Sequence, residues 1–376
     1  MLRMKLNTIL ALSLLLSACS HTPSNLPVLP TPAPHEAAAQ IINQARIEKY
    51  SETLAVDVYY STNRESAGDV SLCNNQSYGI KTDKHLNFGV CRVNVPKRHA
   101  TGQIEVAPDS RADTHRYFRI LNQKTFDTAG FEKVIKNNPA KEVLIFIHGF
   151  NVKFQDAVFR ASQIAYDLKF QGPVILFSWP AGADSSFLGK AMVSRTYGSN
   201  KLNAEQSILP AIEFFKMIGS YNLKVNIIVH SMGHQIAIPA LSTIAKEPDL
   251  NFKLDELVLN APDYDLKDFK KVSTDLKKIA NRITLYCSYN DSAMVASETY
   301  NGGERLGACE KFDGVDVINV SEVDSSSYTP TLGHSYYSSR AVLTDVAQLM
   351  MGIEAEKRLF IRRSEPNSTE DFYLRP

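Results

Sequence analysis

The sequence predicts an α/β fold: a mostly parallel central sheet with helices on both faces, and a β region ahead of it. Three observations carry this. From about residue 128 onward, strand-like runs alternate with stretches of helical periodicity, the pattern of parallel strands joined by crossover helices. The strand runs V-L-I-F-I (143–147), V-I-L-F-S (174–178) and V-N-I-I-V (225–229) are nearly unbroken apolar stretches, as required of strands covered on both faces. Residues 53–121 read differently, as β-branched and aromatic clusters between turn signals.

The chain has 376 residues, 44% hydrophobic and 22% charged, with a formal net charge of +1, so it is long enough for a large core and carries no electrostatic footprint of nucleic-acid binding. Residues 1–18 read as an export signal: Arg3 and Lys5 precede a short apolar run, Ile9 to Leu16. That run falls short of the roughly 20 residues that span a bilayer. It ends in L-S-A-C at Cys19, which resembles the bacterial lipobox. The resemblance implies acylation of Cys19, and two or more acyl chains anchor a protein stably. Ser20 follows, which by likeness to Gram-negative lipoproteins implies an outer-membrane anchor, expected to face the periplasm. The alternative is a simply cleaved signal that leaves Cys19 free.

Residues 19–50 form the tether. T-P-S-N-L-P-V-L-P-T-P-A-P (22–34) is a proline-rich, extended spacer, and 35–50 fit a short helix. The folded domain is expected over 51–356, with 357–376 a peripheral tail. In the β region, L-A-V-D-V-Y-Y, G-V-C-R-V-N-V-P, Q-I-E-V-A-P and Y-F-R-I-L read as strands. Helices are expected over 156–170, 208–218, 234–245 and 338–351, with further strands at 256–260 and 282–287. Residues 183–206 fit a cap segment or a plain surface loop. Four cysteines remain in an oxidising compartment: Cys73, Cys91, Cys287 and Cys309. Local pairing, Cys73–Cys91 and Cys287–Cys309, is expected because each pair closes a short loop.

Ligands of open α/β sheets sit beyond the carboxyl ends of the strands. There the sequence places H-G-F-N (148–151), W-P-A-G (179–182), H-S-M-G (230–233), A-P-D-Y-D (261–265), S-Y-N-D (288–291) and, before the last helix, G-H-S-Y-Y (333–337). These supply serine, aspartate and histidine in the order of α/β-hydrolases. A serine hydroxyl is a poor nucleophile at neutral pH and needs an imidazole to take its proton and a carboxylate to orient that imidazole. Ser231 lies in V-H-S-M-G, a nucleophile elbow with the second glycine present and valine in place of the first; a helix-capping serine is the other reading. His334 fits the base. His148 belongs to the oxyanion loop, His230 is expected to point away from the serine, and His234 to face its helix or solvent. The acid is contested: Asp291 follows the usual strand, while Asp263 and Asp265 follow the strand before it, with Asp324 outside both. The backbone N–H groups of Phe150 and Met232 fit the oxyanion hole. No H-E-x-x-H, phosphate-binding or dinucleotide motif occurs, so no metal or organic cofactor is expected.

The blocks V-Y-Y-S-T-N-R (58–64), F-I-H-G-F-N-V-K-F-Q-D-A (146–157), F-S-W-P (177–180), V-H-S-M-G (229–233), A-P-D-Y-D (261–265), T-L-Y-C-S-Y-N-D (284–291) and G-H-S-Y-Y (333–337) resemble an uncharacterised bacterial α/β-hydrolase family, domain of unknown function nine hundred. The likeness runs roughly over 54–352. It implies the α/β-hydrolase fold with Ser231 as nucleophile, His334 as base and Asp291 as acid. It brings no substrate. Fold analogy favours an acyl ester, small or lipid, with no nucleic-acid partner and a membrane contact through the anchor. A non-catalytic envelope lipoprotein and an acyltransferase using the same triad stay open as alternatives.

Overall fold

The computed structural model describes residues 55–66, 72–109, 116–183, 190–247, 252–324 and 333–376, and of 190–192 the backbone alone. Cys19, the proline-rich tether and the expected helix at 35–50 lie outside the described residues.

Among the described residues, eleven strands form one sheet. In chain order they are β1 (Ala55–Ser66), β2 (Tyr78–Asn94), β3 (Arg119–Phe126), β4 (Glu142–Ile147), β5 (Val174–Ser178), β6 (Lys224–His230), β7 (Leu254–Asn260), β8 (Ala280–Cys287), β9 (Asp316–Asn319), β10 (Ile361–Arg363) and β11 (Phe372–Leu374). Their order across the sheet is β10-β11-β9-β8-β7-β6-β4-β5-β1-β2-β3. From β11 to β1 the pairing is parallel, and antiparallel partners close both edges.

Among the described residues the longer helices are α1 (Thr128–Lys136), α2 (Phe154–Asp167), α3 (Lys190–Gln206), α4 (Ile208–Gly219), α5 (His234–Ile244), α6 (Leu266–Ile279), α7 (Ser292–Asn301) and α8 (Arg340–Met350), and a single turn at Ser321–Asp324 ends on Asp324. Alternation along each strand divides the core in two. Leu144 and Phe146 of β4 join a cluster covered by α2 and α8, while Val143, Ile145 and Ile147 join a second cluster covered by α4, α5 and α6. Because both faces are covered, the central strands β4 and β5 are apolar almost throughout, while β6, β7 and β8 bury a few polar residues such as Asn226, Glu256 and Thr284.

The N-terminal β region joins the main sheet: β1 lies parallel to β5, with Thr62 opposite Ser178. Q-I-E-V-A-P forms no strand; Val106 is 67% exposed and Pro108 has no N–H to give a ladder. Residues 357–376 are not peripheral. They contribute β10 and β11, the latter seated between β9 and β10, and bury Arg358, Phe372 and Leu374. The disulfides are Cys73–Cys91 and Cys287–Cys309, the local pairing.

Candidate active site

The site lies where β4, β6, β7 and β8 end at their carboxyl edge. Ser231 follows β6 directly and holds φ +53°, a left-handed conformation that costs a non-glycine residue energy and persists only where its surroundings enforce it. Two contacts enforce it. His234 donates from Nδ1 to the Ser231 carbonyl at 2.7 Å, and Gly233 lets the helix start sit so close to β4 that a Cβ there would meet the His148 carbonyl at 2.7 Å. Val229, where the elbow pattern has glycine, is fully buried in the second core cluster and pairs with Ile147 and Leu259, so its side chain stays clear of the turn. His234 is itself fully buried, not turned to solvent, and burial holds its pKa down at about 3. It is a neutral clamp on the elbow.

Asp291 and His334 meet. His334 Nδ1 lies 2.8 Å from Asp291 Oδ2, which fixes the proton on Nδ1 and leaves Nε2 as the lone-pair nitrogen. That Nε2 is buried and has no hydrogen-bond partner among the described residues. The other Asp291 oxygen caps α7, accepting from the N–H groups of Ala293 (3.1 Å) and Met294 (3.2 Å), so a helix N-terminus faces the carboxylate.

The rival acids are used elsewhere. Asp263 is 2% exposed and pairs with Arg305, whose Nε and Nη2 each lie 2.9 Å from Oδ1. Asp265 caps α6 by accepting from the Asp268 N–H at 3.0 Å. Among the described carboxylates only Asp291 hydrogen-bonds the His334 ring.

His230 departs from expectation. It does not point away but borders the same cleft as Ser231, with its ring 5.0 Å from His334 and stacked on Tyr337 at 3.7 Å. The reason is strand alternation: Ile228 joins the core cluster of the α8 face, and His230, two residues on, falls on that side too. Burial first, then the neighbouring His334, His234 and Arg160, push its pKa well down, so it packs as a neutral ring.

Phe150 follows Gly149 in the loop after β4. A Cβ on Gly149 would lie 2.7 Å from the Ser231 Cβ, so the two loops touch and only glycine fits there. Met232 opens the helical turn after Ser231, where backbone N–H groups lack intrahelical partners. Phe150 and Met232 therefore lie on two loops that meet at the serine.

The loop 148–152 rests on Arg64, the last residue of V-Y-Y-S-T-N-R, which sequence reasoning quoted without giving it a role. Arg64 is fully buried. It donates to the carbonyls of Val152 (2.8 Å), Gly79 (2.9 Å) and Ala181 (3.0 Å) and to Ser178 Oγ (2.9 Å), and Nη2 faces His148 Nε2 at 3.4 Å. His148 Nδ1 in turn reaches the Gly149 carbonyl at 3.0 Å, and its ring stacks on Trp179 at 5.4 Å. Burial, then the Arg64 cation, hold His148 at a pKa of about 3, so it stays neutral.

A cavity of about 630 Å³ opens over Ser231 and His334, with Phe150, Asp263 and residues of α3 and α7 as its walls. Of the segment 183–206, residues 184–189 lie outside the described residues, and 190–206 form α3, whose Val193, Ser194 and Tyr197 border this cavity. Among the described residues no cluster of three or more His, Cys, Asp or Glu is arranged to hold a metal ion.

Compared with known proteins, the chain matches a family model described as an alpha/beta hydrolase of unknown function (DUF900) over residues 123–352; V-Y-Y-S-T-N-R falls outside that span. No curated protein and no solved structure matches it. With well over half of its length matched, on an eleven-stranded, mostly parallel sheet, the chain belongs to the DUF900 family of α/β-hydrolases.

Proposed function

We propose that the protein is a serine hydrolase acting on carboxylic esters. The observation that carries this is the 2.8 Å bond between Asp291 and His334 beside a serine held at φ +53°. Ser231 Oγ attacks the acyl carbonyl while its proton passes to His334 Nε2, forming the Oγ–C bond. Asp291 stabilises the imidazolium, and the N–H groups of Phe150 and Met232 receive the oxyanion. The C–O bond of the ester breaks, the alcohol leaves with the proton from His334, and an acyl-enzyme remains. Water, deprotonated by His334, then releases the acid and restores Ser231. His230 and His234 stay neutral and take no proton in this scheme.

We propose further that Cys19 is acylated and anchors the domain to the outer membrane, facing the periplasm. Among the described residues no helix is long and apolar enough to cross a membrane. Cys19→Ala is expected to move the protein from the membrane to the soluble fraction; unchanged membrane recovery rules the anchor out.

A fluorophosphonate probe tests the catalytic reading on the full chain in detergent. Wild type is expected to label, and Ser231→Ala and His334→Ala to lose labelling. Asp291→Asn keeps a side chain that caps α7 but loses the charge facing His334, so ester turnover is expected to fall roughly 10³–10⁴-fold with the fold retained. Labelling that survives Ser231→Ala places the nucleophile elsewhere; a folded wild type that never labels rules out an activated serine.

A further inference from the structure

The cavity over Ser231 is a groove between α3 and α7, and its walls say what kind of acyl group fits. Ala293, Ala296 and Tyr300 recur at helical spacing on one side of α7 and border it. Across from them stand Phe150 and Tyr197, the latter reaching over to Tyr300. Tyr197 of α3 lies 5.7 Å from Phe150 and 4.6 Å from Tyr300, ring centre to ring centre. Val193 and Tyr300 are 41% and 46% exposed, so the groove opens to solvent along an apolar rim.

Its acidic group is committed inward. Asp263, the one carboxylate bordering the groove among the described residues, is ion-paired with Arg305. It also accepts from Ser297 Oγ at 2.5 Å, from Tyr197 O–H at 2.8 Å and from Gln235 Nε2 at 3.3 Å. Its lone pairs are spent and its charge is balanced. No lysine or arginine borders the groove among the described residues, and Lys201, one turn beyond Tyr197, donates to Asn301 Oδ1 at 2.9 Å. Among the described residues no free charged side chain stands ready to pair a charged acyl tail lying against these apolar walls, and leaving such a charge unpaired is costly.

We propose that this groove binds the acyl portion of the substrate and selects an uncharged, unbranched chain of several carbons over acetyl. The inference rests on the serine-hydrolase reading and names its substrate class. Ala293 and Ala296 leave the channel open; a large side chain at 293, half-buried in the first turn of α7, closes it without disturbing the Asp291 cap.

The test compares 4-nitrophenyl acetate, hexanoate and hemiadipate on the full chain in detergent. Hexanoate and hemiadipate present acyl chains of equal length that differ in a terminal carboxylate. Hexanoate is expected to exceed acetate in kcat/KM by more than about tenfold, and to exceed hemiadipate by roughly a hundredfold. In Ala293→Trp the hexanoate-to-acetate ratio is expected to fall at least about tenfold. Ethyl and octyl fluorophosphonates separate the two claims, because they read the groove and the nucleophile in one step. Faster labelling by the octyl probe supports the groove. Equal labelling by both, or hemiadipate matching hexanoate, overturns the groove and leaves the serine hydrolase standing. Failure of both probes to label a folded protein overturns both.

Discussion

Two of the buried arginines, Arg64 and Arg358, come one from each side of the segment that matches the family, and they are held in opposite ways. Arg64, on β1, has no carboxylate within ion-pair distance among the described residues; carbonyls and a hydroxyl absorb its donors. Burial lowers its pKa, but only to about 9, so it stays charged at neutral pH. Arg358, just before β10, lies 3.3 Å from Asp345 and 4.0 Å from Asp316, and its nitrogens form no well-shaped hydrogen bond. Asp345 in turn accepts from Tyr286 O–H at 2.5 Å, and Tyr336, two residues after His334, donates to the Tyr286 carbonyl at 3.3 Å. Arg64 thus supports the loop 148–152 through groups that keep one protonation state near neutral pH, His148 included. Arg358 supports the His334 and Asp291 loops through a carboxylate that titrates. Asymmetric bracing of this kind makes one half of the site indifferent to pH and the other half responsive.

The largest effect expected is at Arg64. Arg64→Met strands the carbonyls of Gly79, Val152 and Ala181, each costing about 1–3 kcal/mol when buried unpaired, so unfolding free energy is expected to drop by roughly 3–5 kcal/mol. Urea denaturation reads it, and a loss under 1 kcal/mol breaks the comparison.

Next come the disulfides. Cys287–Cys309 closes a loop of sequence separation 22 whose first cysteine is four residues from Asp291. Cys287→Ser with Cys309→Ser is expected to cost roughly 3 kcal/mol and to slow serine labelling. The matching change at Cys73 and Cys91, on the β2 side, is expected to cost a similar amount and leave labelling unchanged.

Arg358→Met is expected to cost roughly 2 kcal/mol, less than Arg64→Met, because Asp345 can protonate once its partner is gone. Pairing it with Asp345→Asn is expected to recover most of the loss, since an ion pair removed whole is often tolerated. A double variant as unstable as the sum of its parts counts against this.

The smallest effect is the pH slope. Burial raises the folded pKa of Asp345 to about 6, despite Arg358. Between its unfolded value near 4 and that point, the folded state binds the extra proton, so stability falls as pH rises across this window. Unfolding measured from pH 4 to 6 is expected to lose at most about 1.4 kcal/mol of its slope per pH unit in Asp345→Asn. An unchanged slope places the titrating group elsewhere.

How much of this was legible in the sequence depends on whether the signal is local. The runs at 143–147, 174–178 and 225–229 declared buried strands because burial on both faces leaves no polar alternation. The order of Ser231, Asp291 and His334 was legible because three loop motifs fall at strand ends. Asp263 stayed a rival until its partner Arg305, 42 residues later, was placed beside it. The side taken by His230 follows the alternation of β6 and was legible in principle, whereas that of His234 was not, because it lies beyond the left-handed turn at Ser231. Joining β1 to the main sheet was beyond reach as well: Thr62 pairs with Ser178, and nothing in either segment names the other. Strand β11, three residues long, gives no periodicity to read.

The seat of β11 between β9 and β10 also carries a consequence in time. A polypeptide is made from its N-terminus, so Asp291 and His334 leave the ribosome before Glu370, which accepts from Tyr289 O–H at 2.6 Å, and before the strand that closes beside β9. Arg64 and the loop 148–152 are made long before. In order of synthesis, the part of the site that holds Asp291 and His334 gets its last support from the segment that carries Glu370 and β11. A nascent chain that already contains both halves of the His334–Asp291 pair is still waiting for the brace that steadies it.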